Sequence, residues 1–95
     1  MSGAMLLRIE DVPADSGTVL RLIGRISSPD VQQLKARMAE APRPVALDLE
    51  QVRLVDLDAV YFLAEARRHG IELLKLPPYV REWILLENAT AAEAD

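Results

Sequence analysis

The 95-residue sequence contains no cysteine. That excludes disulfide staples, thiolate nucleophiles and cysteine-ligated metal centres. Only four glycines are present and none stand close together, so no glycine-rich phosphate loop exists. The single histidine, His69, has no second imidazole to share a metal or relay a proton. Lysine and arginine are scattered, the net charge is −4, and aromatics make up only 4% of the chain. No basic stripe with interleaved aromatics is available to grip nucleic acid. No apolar run approaches the roughly 20 residues that a membrane span needs, and the N-terminus lacks the pattern of a signal peptide. A cytoplasmic protein without membrane insertion is the expectation.

What remains is an ordinary globular composition, 51% apolar and 27% charged, in a length that fits one domain with one modest core. Residues 1–4 read as a disordered lead or an expression scar, residues 5–88 as the folded domain, and residues 89–95 as a frayed tail with little to bury. Met5–Ile9 predicts a first strand. The turn-forming stretch Pro13–Gly17 joins it to a second, Thr18–Ile26, as a hairpin. In the second strand, Leu20, Leu22 and Gly24 fall on one side and Val19, Arg21 and Ile23 on the other.

Ser28-Pro29-Asp30 predicts the start of a helix, with Ser28 as cap, Pro29 in the first helical position and Asp30 at the positive end of the dipole. Val31, Leu34 and Met38 recur at helical spacing as its buried stripe. Val45–Leu49 predicts a central strand, parallel to the second after a right-handed crossover. A loop over residues 50–55 leads to a helix from about Leu57 to His69, where His69 caps the C-terminal end and Gly70 lies just past it. Ile71–Leu76 predicts a fourth strand, and Pro77-Pro78 opens a final helix in which Val80, Trp83, Ile84 and Glu87 share a face. The fold class is therefore α/β, a small mixed sheet of about four strands with about three helices, in the order β-β-α-β-α-β-α.

The chemistry-bearing stretch is Val55-Asp56-Leu57-Asp58-Ala59. Two carboxylates two residues apart admit three readings. A Mg²⁺-dependent phosphatase would use Asp56 and Asp58 as nucleophile and acid/base. That chemistry also needs a hydroxyl donor, a lysine and a further acidic pair downstream. The 37 residues after Asp58 hold one lysine, Lys75, one threonine, Thr90, and no adjacent acidic pair. Asp48 and Glu50 could join the pair in a cation site, but nothing in the sequence fixes that geometry, and a solvated acidic end of the sheet is the favoured reading. The second reading is a helix cap, worth about 1 kcal/mol, which accounts for one of the two carboxylates.

The third reading is a contact surface, and it comes from a resemblance. The order and spacing of Gly24-Arg25-Ile26, Ala46-Leu47-Asp48-Leu49, Val55-Asp56-Leu57-Asp58-Ala59 and Gly70-Ile71-Glu72-Leu73 resemble the STAS family, the domains of sulphate transporters and anti-sigma-factor antagonists. The resemblance covers about residues 5–88. It implies a non-catalytic regulatory module that needs no cofactor or metal, with a kinase-like anti-sigma factor as its protein partner. In the family's antagonists the loop reads Asp-Ser-Ser/Thr-Gly, and its second hydroxyl is the phospho-acceptor. Here Asp58 holds that position, Leu57 replaces the first hydroxyl, Ala59 replaces glycine, and Ser27 stands where many members carry aspartate. Asp58 cannot form a phosphoserine and carries about −1 against the −1.5 to −2 of a phosphate. It is thus a partial phosphomimic or the mark of a domain that never switched. The implied partner surface is Ser27, Ser28, Asp56, Leu57, Asp58, Ala59 and Tyr61. The alternative within the resemblance is a cytoplasmic accessory subunit of a lipid-type transport ATPase, which needs no phospho-acceptor. Tyr61 and Phe62 either cover neighbouring elements in the core or extend the contact surface. Trp83 is expected to anchor the last helix, with a homodimer interface or partner contact as its other role.

Overall fold

The computed structural model describes residues 6–93, and side chains as far as residue 86. The expected lead 1–4, the last residues 94–95 of the expected tail and the side chain of Glu87 lie outside what is so described; the backbone of residues 89–93 is helical. Seven elements follow the expected order: β1 (Arg8–Pro13), β2 (Thr18–Ile26), α1 (Ser28–Glu40), β3 (Val45–Val55), α2 (Leu57–Arg68), β4 (Glu72–Leu74) and α3 (Pro78–Glu93). The strands form a single mixed sheet in the order β1-β2-β3-β4. β1 runs antiparallel to β2, while β2, β3 and β4 are parallel.

β2 alternates as its sequence dictates. Leu20, Leu22 and Ile26 are fully buried, and Val19, Arg21 and Ile23 lie half-buried on the opposite face. β1 begins three residues later than the apolar run suggested and extends through charged residues to Pro13. As an edge strand it tolerates charge on one face and a proline at its end, and Glu10 joins it to β2 through Arg21, 3.6 Å away. β3 is twice as long as expected, because the stretch read as a loop after Leu49 is strand. Register shifts against β2 between Arg21 and Ile23 and between Gly24 and Arg25 insert extra residues into β3 and break the two-residue period there. That broken period is why Glu50–Val55 resembles a loop in sequence.

The core lies between one face of the sheet and the helices. It joins Leu20, Leu22, Leu34, Leu47, Leu49, Val60, Phe62, Leu63, Val80 and Ile84 into one cluster, with Val31 and Met38 of α1 packed against it. Phe62 is thus a core residue, whereas Tyr61 is exposed. Trp83 does not anchor α3: it is 45% exposed, and Val80 and Ile84 fill the anchoring role. An i, i+4 pair is enough to seat a helix of this size on a small core, so the neighbouring Trp83 is left on the flank.

Candidate functional site

β2 and β3 end side by side, Ile26 opposite Val55, and each passes directly into a helix. The N-termini of α1 and α2 therefore meet at the carboxyl edge of the parallel strands, where open α/β sheets gather their binding residues. The Asp56 amide donates to the Ile26 carbonyl at 3.2 Å and fixes the two chain crossings together.

Asp56 is the N-cap of α2. Its Oδ1 accepts from the Ala59 amide at 2.9 Å, and its Oδ2 accepts from the Ser28 amide at 2.8 Å. One carboxylate thus satisfies orphan donors of two different helices. Partial burial pushes the Asp56 carboxyl up, but the Ala59 and Ser28 amides, the Ser28 hydroxyl and the charge of Arg25 outweigh it and hold the group below the usual range for aspartate. Asp58, in the first turn of α2, accepts from the Ser28 hydroxyl at 2.6 Å. That hydroxyl also lies 3.3 Å from Asp56 Oδ2. The two carboxylates of the Val55–Ala59 stretch are therefore both accounted for, one as a double cap and one as the partner of a serine on the neighbouring helix.

Of the residues expected at this surface, Ser28, Asp56 and Asp58 come together in one network. Ser27 is turned aside: it is the N-cap of α1, its amide and hydroxyl donating to the Asp30 carboxylate at 2.9 and 2.8 Å. The expected cap at Ser28 is thus corrected by one residue, because Asp30 reaches back three positions to Ser27. Leu57 and Tyr61, one turn apart, are 52% and 47% exposed and lie on the same flank of α2. Ala59 is fully buried, so its side chain drops out of the surface and only its amide takes part. His69 is the C-cap of α2, and its ring nitrogen lies 2.8 Å from Glu65 Oε2. The His69 ring, and then Arg68, hold the Glu65 carboxyl below its ordinary range.

Sequence reasoning missed the linking role of Ser28, since a hydroxyl beside Pro29 reads as a local cap; only the strand pairing brings it to Asp56. It also missed Leu54, which is 51% exposed at the end of β3, and the Tyr79 hydroxyl, which donates to the Arg53 carbonyl at 2.7 Å. Leu54 was hidden in the stretch read as loop. Asp48 and Glu50 do not join the pair: Asp48 accepts from the Glu50 amide at 3.0 Å and faces Arg21 at 3.8 Å. Among the described residues no group of three or more His, Cys, Asp or Glu is placed to hold a metal ion.

Among solved structures the chain is similar to an anti-sigma-factor antagonist STAS domain from Rhodobacter sphaeroides, with a TM-score of 0.56 and 20% identity over 78% of this chain and 90% of that one. The chain has the STAS fold. It is also similar to an uncharacterized protein with a SpoIIAA-like fold from Shewanella loihica, with a TM-score of 0.44 and 18% identity over 77% of this chain and 66% of that one. No family model matches the sequence. No curated protein matches it either. Within the STAS fold, the Ser28–Asp56–Asp58 network occupies the junction between the first two helices. Among the described residues no helix is long and apolar enough to cross a membrane.

Proposed function

We propose that this chain is a non-catalytic regulatory module of the STAS family that acts in the cytoplasm by binding a protein, with Asp58 standing in the phospho-acceptor position. The observation that carries this reading is the tie between Asp58 and Ser28 at the start of α2, beside the exposed Leu57 and Tyr61. A fixed carboxylate there keeps a negative charge at the positive end of the helix and holds the first turns of α1 and α2 in one arrangement. The adjoining apolar side chains supply the kind of surface that marks protein contacts. The similarity in fold to an anti-sigma-factor antagonist supports a kinase-like anti-sigma factor as the partner class. Asp58 then replaces a reversible phosphate by a permanent, weaker charge.

The test is affinity capture from the native cytosol with the wild-type chain and with Asp58→Ser, Leu57→Ser and Tyr61→Ala. Recovery of a kinase-like anti-sigma protein, altered by Asp58→Ser and weakened by the other two, is the expected result. Recovery of a transport ATPase that is indifferent to Asp58→Ser would replace the regulator with an accessory subunit of a transporter.

A further inference from the structure

The far end of α2, roughly 15 Å from Asp56 along the helix axis, carries a different feature. An open hollow of about 510 Å³ lies between the last turn of α2, β4 and the first turn of α3. Arg67, Lys75 and Arg81, one from each side, line it together with the single acid Glu72 and an apolar floor that includes Ile71 and Leu76. Among the described residues, Arg67 and Arg81 have no carboxylate within ion-pair distance, and Lys75 has only Glu50, 3.5 Å away at an exposed position. The hollow is thus a positive island in a chain whose net charge is −4. Lys75 is also the only described non-glycine residue with a positive φ, 56°. A lysine in that left-handed conformation carries backbone strain of a kind that collects at ligand sites.

The hollow does not end at Arg81. Arg81 and Leu76 also line a second one of about 350 Å³, whose remaining walls are Pro78, Leu85 and the acid Glu82. Leu85 is 47% exposed, so with Leu76 and Pro78 it leaves an uncovered apolar strip beside Arg81, with Glu82 at its edge. Two guanidinium groups and an ammonium suit a phosphate better than a carboxylate, since the phosphate offers more acceptor oxygens and nearly twice the charge.

We propose that this cleft binds an organic phosphate monoester, with its phosphate between Arg67, Lys75 and Arg81 and its apolar remainder along Leu76, Pro78 and Leu85. The site is separate from the Ser28–Asp56–Asp58 junction and does not depend on the function proposed for it.

The test is amide chemical-shift titration of the full isotope-labelled chain with hexyl phosphate, inorganic phosphate and hexanol, repeated on Arg67→Gln/Arg81→Gln. Both arginines are exposed, so the double variant should fold, and its unchanged amide pattern elsewhere confirms this. The expected result is saturable shifts at residues 67, 71–76 and 81 with hexyl phosphate, at least fivefold weaker with inorganic phosphate and with hexanol. Affinity for hexyl phosphate should fall at least tenfold in the double variant. Sedimentation with phosphatidic-acid vesicles, lost in the same variant, would assign the phosphate to a lipid headgroup; no sedimentation beside hexyl phosphate binding would assign it to a free ligand. Absence of saturable shifts, shifts located elsewhere, or equal affinity in the double variant would overturn the site. Equal binding of inorganic and hexyl phosphate would overturn the apolar half of it.

Discussion

Replacing Asp56 by alanine removes two hydrogen bonds that no single helix could supply. The bond to the Ala59 amide, 2.9 Å, is an N-cap worth about 1 kcal/mol. The bond to the Ser28 amide, 2.8 Å, ties α2 to α1 and adds about 1 kcal/mol more, the modest value because the contact is solvent-exposed. Asp56→Ala should therefore cost about 2 kcal/mol at neutral pH, a fall of roughly 10 °C in melting temperature for a domain of this size. Asp56→Asn keeps one acceptor oxygen but turns an NH₂ toward the other donor, so it should lose about half as much. The cost should also depend on pH. The Asp56 carboxyl titrates lower in the folded chain than in the unfolded one, so its contribution is complete above the unfolded value of about 4. Below that it is lost progressively as pH falls through the folded value. Urea unfolding of wild type and both variants at pH 7 and at several values below pH 4 provides the measurement. The gap between wild type and Asp56→Ala should narrow on acidification. A gap under about 0.5 kcal/mol at pH 7, or one that does not change with acidification, would refute the double-cap account.

Three further outcomes are expected. Gly17→Ala should cost about 2–3 kcal/mol in urea unfolding: φ is +89°, and an added Cβ would come within 2.0 Å of the Pro44 carbonyl oxygen, which accepts the Thr18 amide. Trp83→Ala should cost less than about 1 kcal/mol by thermal melting, because the ring is nearly half exposed; a loss of 3–5 kcal/mol would mean that Trp83 is a core anchor after all. Ala59→Leu should destabilise by about 1–3 kcal/mol through overpacking, whereas a neutral effect in the same assay would return Ala59 to the surface.

The sequence by itself determined the element order, the hairpin, the parallel crossover and the buried faces of β2 and α1. These follow from periodicity and from the residues that start and stop elements, both of which are local. It also marked one of Asp56 and Asp58 as a cap and His69 as the end of α2, because capping spans only three or four residues; the structure chose Asp56. Tertiary structure decided the rest. The length of β3 depends on bulges in its pairing with β2, and no local pattern encodes a register shift. The bond from Ser28 to Asp58 joins residues 30 apart in sequence, and it exists because Ile26 and Val55 end on neighbouring strands. The exposure of Trp83 and the burial of Ala59 were settled by which flank of each helix met the sheet, a choice made by the whole core at once. Arg67, Lys75 and Arg81 look like ordinary solvated charges along the chain; only the packing of α2, β4 and α3 turns them toward one cleft.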